Sequence, residues 1–137
     1  MSGKSMVVLL ASALVLLGGA ALLAASGQEV SKGNGLYRVY CSSCHGATGK
    51  GDGKLANLLT VKPSDLTTIA KRSGGKFDGD KVQSYVDGRE EVRAHGDADM
   101  PVWGLSFQDP NRAEPQESEV KVRLRALVAY LETIQVR

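Results

Sequence analysis

The stretch Cys41-Ser42-Ser43-Cys44-His45 reads CSSCH, and it holds both cysteines of the 137-residue chain and one of its two histidines. On a helical turn, side chains at i and i+3 project to the same side, so the two thiols can reach neighbouring points of one bound group. Two cysteines at this spacing with a histidine after the second form the pattern to which haem is covalently attached. We therefore predict one haem c, bound through Cys41 and Cys44, with His45 as an iron ligand.

Three other uses of paired thiols fit this sequence less well. A thioredoxin-like redox pair sits in a strand-helix context, and the chain contains no convincing strand pair. A tetrahedral zinc site needs two ligands beyond the thiols, and the remaining His95 cannot supply them alone. A structural disulfide across two intervening residues is geometrically awkward. Export of the chain also favours haem, because covalent attachment in bacteria takes place beyond the membrane.

A haem iron held by His45 has a second axial position, and the sequence offers few groups to fill it. Met100 is the only methionine after the apolar N-terminal segment, and it lies in the loop ADMPVWG. Pro101 fixes the backbone beside the sulfur, which would help to hold a thioether on iron. We predict Met100 as the second iron ligand, with His95 or an open position as the alternatives.

Residues 6–25, MVVLLASALVLLGGAALLAA, form an apolar run long enough to cross a bilayer as a helix. Lys4 precedes the run and small residues end it, so the segment also has the parts of a secretory signal. We assign residues 1–28 to a signal peptide or an uncleaved transmembrane anchor, and residues 29–137 to one folded domain. Both assignments place the domain on the periplasmic side of a bacterial inner membrane, either anchored by residues 6–25 or soluble after cleavage.

The remaining pattern predicts helices joined by long loops. Residues 32–40 are predicted as a short helix that runs into CSSCH, and residues 80–87 as another, with Asp80 as its N-cap and Gly88 as its stop. The last helix carries one apolar stripe, made of Val120, Leu124, Leu127, Val128, Leu131 and Ile134. These helices would enclose a thin core unless a large apolar group occupied its middle.

Composition and charge exclude some classes of protein. With 42% hydrophobic and 23% charged residues, the chain is neither disordered nor a multi-span membrane protein. Residues 46–77 carry six basic and two acidic side chains, whereas residues 78–119 carry four basic and eleven acidic ones. This division fits a dipolar protein that steers its docking, and equally an ordinary solvated surface. Without a long basic tract or interleaved aromatic residues, no nucleic-acid partner is predicted.

These motifs resemble those of the class I c-type cytochromes, which are monohaem, all-α electron carriers. The similarity covers about residues 30–137 and rests on Gly33 and Tyr37, CSSCHG, GKGDG at 49–53, DMPVWG around Met100, and LVAYLE at 127–132. It implies helices and loops wrapped around one covalently bound haem, preceded here by an N-terminal hydrophobic helix. In such a fold the first and last helices cross, so the resemblance places Gly33 and Tyr37 against Leu127 and Tyr130.

The resemblance also implies contacts around the haem. The carbonyl of Pro63 is expected to accept a hydrogen bond from the other ring nitrogen of His45, which would fix the imidazole and raise its donor strength. Arg93 and Trp103 resemble residues that meet the haem propionates. A solvated arginine and a core tryptophan are the alternatives for these two positions.

An iron closed by two side chains can only exchange an electron, so the chain is predicted to be an electron carrier rather than an enzyme. It would serve as a periplasm-facing carrier or as the cytochrome subunit of a respiratory or photosynthetic complex. Its expected partners are redox proteins, among them subunits of membrane complexes, and the membrane itself through the N-terminal helix. The alternative is a haem enzyme or gas-binding sensor with an open or labile sixth position.

Overall fold

The structure, a computed structural model, describes residues 25–89 and 100–136. Over these two ranges the chain forms helices and loops without a strand, which confirms the predicted all-α class. The elements are, in chain order, α1 (25–40), α2 (Ser42–His45), two 3₁₀ helices (Ala56–Leu58 and Leu66–Thr68), α3 (Ile69–Arg72), α4 (Gly79–Asp87), α5 (Trp103–Ser106) and α6 (Glu117–Thr133). The two long helices, α1 and α6, form the frame on which the short elements are placed.

Helix α1 crosses α6 at Gly33, where the backbones come so close that a Cβ atom would overlap the carbonyl of Ala126. One turn later the ring of Tyr37 packs on the ring of Tyr130, with centroids 5.2 Å apart. Tyr37 and Leu127 also share one core cluster and are almost completely buried. The predicted contact between the first and last helices is therefore confirmed, with the backbone of Ala126 as an additional partner.

Gly33→Ala should lower the stability of the haem-loaded protein by about 1–3 kcal/mol, because the added methyl group meets backbone that cannot move without shifting α6. The measurement is thermal unfolding. Gly35→Ala is the matched control, since a Cβ at that position of the same helix has nothing within 4 Å. Gly35→Ala should raise the free energy of unfolding by about 0.5–1 kcal/mol, because alanine is favoured over glycine inside a helix. Equal melting temperatures for the two variants would contradict the close crossing.

The apolar stripe of α6 faces the core as predicted. Val120, Leu124, Leu127 and Leu131 are buried, while Val128 and Ile134 are half-buried. One group of core residues surrounds Tyr37 and includes Val82 of α4, and a second joins Phe107 to the start of α6. This arrangement places α4 and α5 against α6, and it leaves the region after CSSCH with little apolar packing of its own.

Two predicted helix starts are wrong. Helix α4 is capped by Asp78, whose Oδ1 accepts a hydrogen bond from the amide of Lys81 at 3.1 Å, and Asp80 lies inside the first turn. Both acids suit a helix start, and the cap is the one whose backbone is extended. Helix α1 is already helical at residue 25 rather than from residue 32, and its first residues, 25–29, are exposed, so no apolar stripe marks that start in the sequence. The predicted stop at Gly88 is confirmed, with φ 68°.

The predicted membrane span, residues 6–25, lies outside the described residues except for its last position. Within the two described ranges, no helix is long and apolar enough to cross a membrane. Arg93 and His95 also lie outside the described residues.

Candidate haem site

Helix α1 leads directly into the CSSCH motif. The amide of Cys41 donates to the carbonyl of Tyr37 at 2.9 Å, and the amide of His45 donates to the carbonyl of Cys41 at 2.9 Å. The two cysteines therefore stand on a single helical turn, as their spacing predicts. Both thiols are free and half-buried. The motif is thus folded with its two sulfur atoms available to one bound group.

Tyr37 fixes the exit of the motif from inside the core. Its hydroxyl donates a buried hydrogen bond of 2.6 Å to the carbonyl of Gly46, the residue that follows His45. Burial, followed by the nearby Cys41, raises the pKa of Tyr37 well above its usual value, so the hydroxyl keeps its proton. One side chain therefore connects the crossing of α1 and α6 to the end of CSSCH.

The environment of Cys41 favours a neutral sulfur atom. Burial, and secondarily the charge of Cys44, raises the pKa of the Cys41 thiol to about 12. A thiolate is therefore disfavoured at this position, whereas a thioether carries no charge at any pH. The half-buried position of Cys41 therefore suits the uncharged sulfur of a thioether.

The imidazole of His45 is oriented by a backbone carbonyl. Its Nδ1 lies 2.9 Å from the carbonyl oxygen of Ser64, which can only accept a hydrogen bond. Nδ1 is therefore the protonated nitrogen, and the lone pair of Nε2 is left to bind a metal. The acceptor was predicted to be Pro63, one residue earlier. That prediction is wrong because the carbonyl of Pro63 packs against the backbone of Gly51 instead.

Residues 51–55 bind back to the motif through three amides, two of them from the GKGDG loop. Gly51 donates to the carbonyl of His45 at 2.8 Å, Gly53 to that of Cys44 at 3.1 Å, and Leu55 to that of Ser43 at 2.9 Å. These bonds satisfy the free carbonyls at the end of α2. A side chain at Gly53 would overlap the backbone of Ser43 and Cys44, so the loop needs glycine at its point of closest approach.

The C-terminal end of the chain fastens the loop that carries Ser64. The side chain of Gln135 donates to the carbonyl of Leu66 at 2.8 Å and accepts from the amide of Ala70 at 3.0 Å. The amide of Val136 donates to the carbonyl of Thr67 at 2.8 Å. The position of the Ser64 carbonyl, and with it the ring of His45, therefore depends on residues about 70 positions further along the chain.

Gln135→Ala should lower stability by about 2 kcal/mol, because it leaves the amide of Ala70 and the carbonyl of Leu66 without their partner. Hydrogen exchange should become faster at the Ala70 amide, and thermal unfolding gives the overall loss. Glu132→Ala, at an exposed position of the same segment, is the control and should change neither measurement. An unchanged exchange rate at Ala70 in Gln135→Ala would rule out this role.

The structure places Met100 and Trp103 on a second segment. Met100 is half-buried and stands three residues before α5. Trp103, the first residue of α5, packs its ring against Tyr40 and Phe107, with centroids 5.5 and 5.7 Å away. These contacts give Trp103 a packing role between α1 and α5. The predicted contacts of Trp103 and Arg93 with haem propionates stay predictions.

The residues after the motif fit a large apolar group. Leu55, Leu58, Leu59 and Val61 are exposed at 43, 79, 41 and 51%. Their segment is tied to CSSCH by the bond between the Leu55 amide and the Ser43 carbonyl. Exposed apolar surface of this kind marks a place where something binds. Two free thiols, an oriented imidazole and apolar side chains together are the donors and surface that a covalently attached haem requires.

Comparison with known proteins decides the family. The family model described as cytochrome c matches residues 30–135, which is most of the chain and nearly all of its described part. The chain is a member of the cytochrome c family. This cytochrome c therefore carries haem c, attached covalently through Cys41 and Cys44. A search of curated proteins found no match, and a search of solved structures found none either.

Sequence reasoning missed several residues that shape this cytochrome c. Ser64, Gln135 and Arg89 each act through contacts with distant parts of the chain, and Asp87 binds Arg89 two residues further on. Only Ser64 had a signal in the sequence, since it follows the predicted Pro63. The contacts of Gln135 and Arg89 join positions far apart in sequence and become visible only in the folded structure.

Proposed function

We propose that this cytochrome c is a class I electron carrier whose iron is closed by His45 and Met100. The observation that carries the proposal is the bond between Nδ1 of His45 and the carbonyl of Ser64, 2.9 Å long, which leaves Nε2 as a fixed ligand. Met100 supports it as the one thioether after the N-terminal segment, half-buried beside α5. When bound, the haem supplies an iron atom that gains or loses one electron.

The protein's part in this function is to keep the iron environment the same in both oxidation states. The Ser64 carbonyl fixes the ring of His45 and increases its basicity. A neutral thioether opposite an imidazole, in an apolar surrounding, favours the ferrous state and raises the reduction potential. Because both side chains stay in place, little rearrangement accompanies each electron transfer.

The docking surface is proposed to lie on the segment 46–62. Lys50, Lys54 and Lys62 are exposed there. Basic side chains near the haem attachment motif fit an acidic redox partner that binds through a small, transient interface. Screening by salt should therefore slow the encounter with the partner.

A spectroelectrochemical titration of the haem-loaded protein tests this function. We expect a single one-electron transition with low-spin spectra in both the oxidised and the reduced state. A high-spin spectrum in either state would mean that a ligand is absent or lost. That result would favour the alternative, a haem enzyme or gas-binding sensor, over an electron carrier.

We further propose that the domain works on the periplasmic side of a bacterial inner membrane, anchored by residues 6–25 and docked to subunits of a membrane complex. The support is the uncharged apolar run after Lys4, which is long enough to span a bilayer. Cell fractionation and N-terminal sequencing test the anchor. A mature chain that starts near Gly27 in the soluble fraction would replace the anchor with a cleaved signal. Copurification from gently solubilised membranes tests the partners.

A further inference from the structure

The guanidinium group of Arg89 lies between two carboxylates from different helices. Its Nη2 donates to Asp87 at 2.7 Å, and its Nη1 donates to Glu117 at 2.6 Å. Further hydrogen bonds run from Nε to Asp87 and from Nη2 to Glu117, so Arg89 makes two hydrogen bonds to each carboxylate. Asp87 ends α4 and Glu117 begins α6. We call these three side chains the Arg89 clamp.

The positive charge of Arg89 and the negative charges of Asp87 and Glu117 stabilise one another. Hydrogen bonds to Arg89 hold the pKa of Asp87 and that of Glu117 below their usual values. The side chains of Arg89 and Asp87 are only 25 and 20% exposed, so water screens this pair less than an ordinary surface pair. Paired, charge-assisted bonds of this geometry are stronger than single contacts.

The Arg89 clamp lies directly against the segment that carries Met100, residues 100–104. A Cβ atom at Gly104 would overlap Asp87 and Arg89, so the absence of a side chain lets the clamp reach the backbone of α5. Gly88, between the two clamp residues, stands next to Val102, to which an added Cβ would come within 3.4 Å. The clamp therefore contacts the position four residues after Met100, and Gly88, which joins two of its residues, lies against the position two residues after Met100.

Other residues of α5 and its C-terminal end are held by aromatic rings. Trp103 and Phe107 pack against Tyr40 of α1, and Arg123 of α6 donates to the carbonyl of Phe107 at 3.2 Å. Helix α5 is thus contacted by an aromatic ring at Trp103 and by the Arg89 clamp at Gly104. Both contacts hold the backbone that follows Met100.

We propose that the Arg89 clamp is a positioning device for Met100. It holds residues 100–104 so that the thioether stays on the iron, and it limits how often that bond opens to an external ligand. This role rests on the proposed function, since it requires Met100 to be the iron ligand. Arg89 acts through the backbone of α5, without a contact to the reacting atoms.

The test compares Arg89→Gln with Arg112→Gln in the haem-loaded protein. Arg112 also binds two carboxylates, those of Glu114 and Glu119, but at a more exposed site. Carbon monoxide binding to the reduced protein measures how often the iron opens. We expect Arg89→Gln to bind on the order of tenfold faster than the unmodified protein, and Arg112→Gln to match the unmodified protein. Arg89→Lys keeps the positive charge but loses the planar guanidinium group with its paired donors. Its rate of carbon monoxide binding should lie between that of Arg89→Gln and that of the unmodified protein.

Amide hydrogen exchange provides a readout that does not depend on the iron. In Arg89→Gln, exchange should become faster at Leu105 and Phe107, whose amides bond within α5, and stay unchanged at Leu127 in the core. Equal acceleration at Leu127 would show a general loss of stability and overturn the positioning role. If Arg89→Gln does not fold, Glu117→Gln removes only half of the clamp and should give the same pattern more weakly.

The outcomes separate this proposal from the one on which it rests. If Met100→Ala binds carbon monoxide no faster than the unmodified protein, then Met100 is not the ligand and both proposals fail. If Met100→Ala opens the iron while Arg89→Gln and Arg112→Gln behave alike, only the positioning role fails. Faster binding in Arg89→Gln, together with local exchange at α5, supports the clamp.

Discussion

Replacing Met100 with Ala should convert a closed iron into an open one. The reduced variant is expected to bind carbon monoxide rapidly, because the truncated side chain leaves the sixth position free. The reduction potential should fall on the order of 100 mV or more, since the axial ligands set haem potentials over a wide range. Absorption spectra under carbon monoxide and a redox titration measure the two effects.

Two further variants separate ligand loss from packing. Met100→Leu keeps an apolar side chain of similar volume and removes the sulfur, so it should bind carbon monoxide as Met100→Ala does. Leu105→Ala changes an exposed side chain of the same region and should leave the iron closed. If His95→Ala opened the iron while Met100→Ala did not, the ligand would be His95.

The second large effect is expected for the double variant Cys41→Ala with Cys44→Ala. Without either thiol no thioether can form, so acid-acetone extraction should remove all haem from the protein. The fold should be lost as well, because the segment 55–61 has several exposed apolar side chains and little core of its own. Circular dichroism of the double variant should show most of the helix content gone.

Ser43→Ala is the matched control for the double variant. Ser43 lies between the two cysteines and is exposed, and its carbonyl keeps its bond to the Leu55 amide after substitution. This control should retain covalent haem and the full helix content. Covalent haem that persists in the double variant, or a double variant as helical as the control, would overturn the attachment or the structural role of the haem.

The parts of this fold that sequence predicts are those specified by local spacing. CSSCH forms one helical turn because its residues are neighbours, and the stripe of α6 faces the core because its spacing follows the helical period. The crossing at Gly33 and Tyr37 follows from the resemblance to c-type cytochromes. In each case a short stretch of residues contains the whole signal.

The errors fall where the outcome depends on the folded chain. Whether Pro63 or Ser64 presents its carbonyl to His45 depends on how the backbone passes Gly51, and a change of one residue reverses the direction of the carbonyl. Asp78 and Asp80 are equally good caps by composition, and the backbone conformation selects between them. Nothing near Arg89 in sequence indicates a partner 28 positions away.

The most direct test of the central claim, a one-electron carrier closed by His45 and Met100, is carbon monoxide titration of the unmodified, haem-loaded protein in its reduced state. Two strong ligands leave no position for the gas. We predict a low-spin spectrum that stays unchanged as carbon monoxide is added. Rapid binding by the unmodified protein would contradict the claim and indicate an open or labile iron.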